Sequence, residues 1–168
     1  RVTPTINAPS EDGMTPIMYA AFNNRADCVE LLLEYGADVE EKDIEGKTAM
    51  HWAVHPEGDA CLRQILTTAA TYFRDHGGRT VSHRVAERGG NSAAALVFGM
   101  RPDAIEDVDR EGRTPLIWAA ACNNVDVVRT LLMASADVDN RAANGLTAYM
   151  HAHQLGNTAC SNLISETR

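Results

Sequence analysis

Apolar residues recur along this chain in pairs of short runs separated by polar turns. Pro16-Ile17-Met18-Tyr19-Ala20-Ala21 is followed by Cys28-Val29-Glu30-Leu31-Leu32-Leu33, and Pro115-Leu116-Ile117-Trp118-Ala119-Ala120 by Val127-Val128-Arg129-Thr130-Leu131-Leu132. Within each run the apolar positions fall three and four apart, which predicts two helices per unit with one buried stripe. A threonine opens each unit, as Thr15, Thr48, Thr80, Thr114 and Thr147, at intervals of 33, 32, 34 and 33 residues. A period of this length marks a solenoid, whose units bury their apolar faces only against their neighbours.

Fixed offsets from the threonine define the unit further. Two residues before it stands Gly13, Gly46, Gly78, Gly112 or Gly145, as expected where a turn needs a positive φ. Proline follows Thr15 and Thr114, which suits the first turn of a helix behind a threonine N-cap. Seventeen residues after the threonine come Leu32, Ile65, Val97, Leu131 and Ile164, the predicted core stripe. Gly36 stands where a left-handed residue ends the second helix of the first unit, with Ser135 at the matching place in the fourth. Asp38-Val39-Glu40 and Asp137-Val138-Asp139 then lead through a hairpin-like finger towards the next glycine.

Gly112-Arg113-Thr114-Pro115-Leu116-Ile117-Trp118-Ala119-Ala120, with Val127-Val128, Leu131-Leu132 and Ala136-Asp137-Val138, resembles a repeat of the ankyrin family. The first unit matches equally, and the second and third match at Gly46-Lys47-Thr48-Ala49-Met50-His51 and Gly78-Arg79-Thr80 with His83. The resemblance implies an all-α solenoid of about five helix-turn-helix repeats with short β-hairpin-like fingers, slightly curved. The repeats are placed near 10–42, 43–74, 75–108, 109–141 and 142–168. Residues 1–9 read as the end of a preceding finger, because Thr5-Ile6-Asn7 falls where Asp38-Val39-Glu40 does. Two repeats depart from the pattern. Thr68-Ala69-Ala70-Thr71-Tyr72-Phe73 replaces the usual Gly-Ala-Asp-Val-Asn stretch, and Pro102-Asp103-Ala104-Ile105-Glu106 occupies the following finger. Ser161 and Ser165 make the last helix polar at slots apolar elsewhere, as in a capping repeat, so the array is expected to close near residue 168 and to extend upstream.

Composition narrows the function. A net charge of −8 opposes non-specific binding to nucleic acid, and no apolar run approaches the length of a membrane span. Cys28, Cys61 and Cys160 lie thirteen residues after the threonine, in a slot that Ala93 and Val127 fill elsewhere. That interchange predicts three small buried side chains, reduced thiols, and a place in the cytoplasm or the nucleus.

Catalysis finds no support. His51 and His55 are four apart, a spacing that can serve a metal on a helix, but His51 holds the Thr-Pro-Leu-His slot of the resemblance, which implies a structural imidazole tied to the threonine hydroxyl. His83 takes the same reading, while His151 and His153 are two apart and do not share a helical face. With no nucleophile constellation and no phosphate-cradling glycine cluster, neither an enzyme nor a cofactor is expected.

The candidate partner-binding residues lie at two offsets that share a helical face: Tyr19, Trp52, Arg84, Trp118 and His151, then Phe22, His55, Glu87, Ala121 and Gln154. By resemblance this face borders a concave groove, where Trp52 and Trp118 either pack in the core or line the groove; Tyr72 joins the set. The fingers add Glu40, Glu41, Asp43 and Glu45 with Lys42, then Glu106, Asp107, Asp109 and Glu111, then Asp137 and Asp139. Aligned on one edge, they would steer a partner segment carrying Lys or Arg. The function expected is a non-catalytic scaffold or adaptor that binds protein. The alternative is a regulatory or docking domain of a larger enzyme or membrane channel. The oligomeric state stays open.

Overall fold

A computed structural model describes residues 5–69 and 72–167. Its helices come in five consecutive pairs: α1 (Pro16–Phe22) and α2 (Ala26–Glu34), α3 (Ala49–Trp52) and α4 (Ala60–Thr68), α5 (Val81–Arg88) and α6 (Asn91–Met100), α7 (Pro115–Ala121) and α8 (Val125–Met133), α9 (Ala148–Gln154) and α10 (Thr158–Glu166). A 3-10 turn, Pro102–Glu106, follows α6. Each first helix packs on the next first helix, and α2 on α4, α6 on α8 and α8 on α10, giving an inner and an outer helical layer. Between the layers Ile17, Met18, Leu62, Ile65, Leu116, Ile117, Leu131 and Ile164 are fully buried. Each such side chain contributes about 1.5–3 kcal/mol by leaving water.

The first repeat departs from the pattern of the others. Ile65, Val97, Leu131 and Ile164 are buried, but Leu32 is only half-buried. Cys61 and Cys160 are buried as expected, whereas Cys28 is exposed. The slot faces the preceding repeat: the Cys160 thiol points at Asn123 of the repeat before it, at 3.6 Å. No helix among the described residues precedes α2 in that layer, and the equivalence of the three cysteines fails at Cys28.

Local chemistry explains two further departures. α3 stops at Trp52, three residues short of its counterpart α1, because Pro56 pushes His55 out of the helical region. His55 therefore leaves the helix, pairs in an isolated bridge with Gly58, and does not share a helical face with His51. The fingers turn like hairpins but carry no strand among the described residues. Of the unusual stretch in the second repeat, Ala70 and Thr71 lie outside the described residues, as do residues 1–4 of the expected preceding finger. Ser135 does adopt the left-handed conformation, at φ 64°, matching Gly36 at φ 80°.

Four of the five repeat threonines take part in a helix cap, in two ways, while the buried hydroxyl of Thr15 makes no cap bond among the described residues. Thr114 and Thr147 accept the N–H of Ile117 and Met150 on their hydroxyls, both at 3.4 Å. At Thr48 and Thr80 a histidine serves instead. The N–H of Thr48 donates to His51 Nδ1 at 3.2 Å, with the hydroxyl 3.1 Å away, and His51 Nε2 donates to the carbonyl of Arg79 at 3.2 Å. His83 repeats this with Thr80 and with the carbonyl of Arg113, at 2.9 Å. Each imidazole closes its own helix and ties it to the next finger. A proton on Nδ1 would face the threonine N–H, so the arrangement requires the neutral ring.

Burial pushes the His51 pKa from 6.5 down to about 4 and lowers that of His83 as well, although the carbonyls of Arg79 and Arg113 partly oppose this. The unfolded imidazoles take up protons first as the pH falls. Stability is thus complete above about 6.5 and is lost towards 4, by about 3 kcal/mol for His51 alone. The urea midpoint of the protein should drop between pH 7 and 4.5, and His51→Ala should reduce that slope; equal slopes would contradict the assignment.

Candidate functional site

Five fingers precede the five inner helices, and the same two backbone bonds close each one. In the second, the N–H of Asp43 reaches the carbonyl of Lys47 at 2.9 Å and that of Gly46 the carbonyl of Asp43 at 3.0 Å; Ser10, Asp75, Asp109 and Ala142 begin equivalent loops. The turn needs a positive φ at its glycine, with values from 69° to 79°. At Gly78 a side chain is also excluded sterically, since a Cβ would lie 2.9 Å from the Arg110 nitrogen. Successive fingers are joined by single backbone rungs, Ile44 to Asp12, His76 to Glu45, Arg110 to Gly77 and Ala143 to Glu111, at 3.2, 2.9, 3.0 and 2.8 Å.

Three fingers are further locked by a buried carboxylate. Asp109 is 6% exposed; one oxygen accepts the N–H groups of Glu111 and Arg113, and the other the Arg113 Nε and the Trp118 indole N–H, all at 2.9 Å. Asp43 does the same with Glu45, Lys47 and Trp52, and Asp75 with Gly77 and Arg79. Burial opposes the ionisation of Asp75 and Asp109, yet the converging N–H donors and the guanidinium outweigh it and hold both pKa values below 3.8. Asp43 and Asp109, expected on an acidic rim, thus turn inward and leave it.

The indoles so anchored form part of the inner face. Trp52 and Trp118 are half-buried, carrying Lys47 Nζ at 4.5 Å and the Arg113 guanidinium at 4.3 Å over their rings. Phe22 meets the Trp52 ring edge-on at 5.4 Å and stays 44% exposed; Tyr19 is 42% exposed, its hydroxyl 3.4 Å from Ser10 Oγ. Arg84, next in the same row, is buried and ion-paired with Glu87. His55 is committed elsewhere, donating from Nε2 to the carbonyl of Ala21 at 2.8 Å, a bridge between repeats that Asn124 and Asn157 make further along. Tyr72 lies apart, below the guanidinium of Arg101 at 4.3 Å.

The remaining acids differ in what they face. Glu41 is exposed, Glu45 pairs with Lys47, and Glu111 with Arg113 at 3.1 Å. Glu106 accepts the N–H of Asp137 and the amide of Asn140, both at 2.7 Å, and the N–H groups of Glu40 and Asp139 bond to Asp38 and Asp137. The expected set omitted Asp75, Arg79, Arg110 and Arg113. For Asp75, Arg79 and Arg113 a signal is present, since an aspartate five residues before the threonine and a Lys or Arg one before it recur in three successive repeats; Arg110 carries no such recurrence. Among the described residues no three metal-ligating side chains gather, and no helix is long and apolar enough to cross a membrane.

The family model described as ankyrin repeats (3 copies) matches residues 3–72 and 56–142, which is most of the chain. The chain belongs to the ankyrin-repeat family. It is 30% identical over 128 residues to human inversin, covering 75% of this chain and 12% of that protein. To the mouse B-cell lymphoma 3 protein homolog it is 32% identical over 148 residues, 84% of this chain and 33% of that one. To mouse Rabankyrin-5 it is 30% identical over 151 residues, 88% and 13%. The chain thus spans a third or less of the length of these curated relatives. Ankyrin-repeat proteins of this kind are protein-interaction modules, in general without catalytic chemistry.

In this ankyrin array Asp109 is a framework group. Asp109→Ala strands two backbone N–H groups, a guanidinium and an indole, and should destabilise by about 3 kcal/mol. The exposed Glu41→Ala should stay within about 0.5 kcal/mol. Urea denaturation of the two variants measures both; similar midpoints would refute the distinction.

Proposed function

We propose that the chain is a non-catalytic scaffold or adaptor surface that grips a protein segment along its inner helices and finger edge. The observation that carries this reading is the division of labour in the site. Buried carboxylates and rungs saturate the finger backbones, while Tyr19, Phe22, Trp52 and Trp118 remain partly exposed on the neighbouring face. Half-exposed aromatics on a rigid frame lose little entropy when covered and make strong anchors. Glu41, Glu45, Glu106, Glu111, Asp137 and Asp139 are exposed, and aligned on the finger edge they would favour a partner segment bearing Lys or Arg. All four thiols are free, which suits the cytoplasm or the nucleus. The small share of each relative that the chain covers favours, as a second reading, a docking domain within a larger protein.

The test begins with a partner isolated by pull-down and identified. Phe22→Ala should raise its dissociation rate about tenfold, the effect of losing about 1.4 kcal/mol at a central anchor. Glu41→Lys with Glu111→Lys should slow association, most of all at low salt. Protection confined to the outer helices, with binding indifferent to all these substitutions, would reject the reading.

A further inference from the structure

The finger edge is not uniformly acidic, and the reversal of sign along it has a geometric basis. Two clefts open between fingers. The first, of about 200 Å³, lies between the fingers of repeats one and two and is lined by Asp12, Met14, Asp43, Ile44, Glu45 and Trp52. With Asp43 turned inward, Asp12 and Glu45 are the acids it shows to solvent, beside the half-buried Met14 and Trp52 ring and the exposed Ile44. Glu45 is shared with Lys47, whereas Asp12 makes no ion pair among the described residues.

The second cleft, of about 520 Å³, lies between the fingers of repeats three and four, against Arg74, Asp75, His76, Gly78, Val108, Asp109 and Arg110. Its two aspartates are 4% and 6% exposed, and their oxygens are taken by finger N–H groups and by Arg79 and Arg113. The polar side chains it offers to solvent are therefore Arg74, His76 and Arg110, beside the exposed Val108. Arg74 is already engaged, with Asp107 at 3.1 Å and with the carbonyls of Gly78 and Val108. Arg110 is exposed, and no carboxylate among the described residues pairs with it. The rung to Gly77 fixes its backbone, so a guanidinium with no ion pair among the described residues projects from a defined place on the ladder.

We infer that the partner segment is bipolar: a basic residue seats over the first cleft and an acidic one over the second, against Arg110. This rests on the proposed finger-edge binding and adds the partner's charge order to it. A segment with basic residues alone would bring like charge to Arg110, and one with acidic residues alone would meet Asp12 and Glu45. The clefts are two repeats apart. Helices packed side by side are separated by about 8–10 Å, which sets the clefts about 16–20 Å apart. An extended chain advances about 3.3 Å per residue, so the two charges are about five to six residues apart in the segment.

The test is a selection of random twelve-residue displayed peptides on the immobilised chain at low salt, run in parallel on Arg110→Glu. Enriched peptides should carry a Lys or Arg and an Asp or Glu five to six residues apart. A representative peptide should bind Arg110→Glu at least tenfold more weakly and recover when its acidic residue is changed to Lys. Enriched peptides that are basic alone, or that keep an acidic residue with no loss on Arg110→Glu, would overturn the inference. If such peptides still lose binding to Phe22→Ala, the finger-edge reading survives and only the charge order fails. A selection yielding no peptide sensitive to Phe22→Ala would reject both.

Discussion

A carboxylate buried at the root of three loops fixes how the surface of this molecule is built. A finger of five residues exposes more N–H groups than its own turn can satisfy, and a rigid finger must satisfy them without water. Asp43, Asp75 and Asp109 do so by accepting two backbone N–H groups on one oxygen and side-chain N–H groups on the other. At Asp43 and Asp109 the side-chain partner includes the indole of the helix that follows, so finger and inner helix turn as one body. His51 and His83 extend the same logic across repeats, capping one helix and reaching the carbonyl of the next finger. The surface offered to a partner is built on these bonds. Its rings and charges stand where saturated backbone puts them.

Such a frame separates side chains that look alike in composition. Glu41 and Asp43 are two residues apart, yet one is solvated and the other is a structural ligand of backbone. The distinction sets which acids can act on a partner at a distance and which act only on stability. It also leaves Arg110 and Asp12 as opposite charges at two separate clefts, in a chain whose net charge of −8 suggests a single sign.

Much of the fold was legible from the threonine period alone, because each repeat uses local rules that a neighbour reinforces. The glycine two residues before Thr48 or Thr80 and the stripe of Ile65, Val97, Leu131 and Ile164 follow from fixed offsets, and the role of His51 and His83 from the resemblance to ankyrin repeats. What offsets do not carry is what lies on either side. Cys28 and Cys61 hold the same slot, and among the described residues the second is buried and the first is exposed. His55 was read as helical, although Pro56 beside it breaks the helix, and its ring proved to bridge to Ala21. Acidity without position puts Asp43 and Asp109 on the rim, whereas their place in the loop turns them inward. An aspartate at the same place in three fingers, followed three residues later by a glycine, marks a loop that closes on its own carboxylate.

Native-state hydrogen exchange of the rung amides tests this framework most directly. Ile44, His76, Arg110 and Ala143 lie outside helices, and as ordinary surface loops their N–H groups would exchange within the time of the first measurements. If the ladder holds the fingers, these four amides exchange as slowly as those of the adjoining inner helices, and Asp109→Ala releases Arg110 before the others. Rapid exchange of all four in the unmodified protein would contradict it.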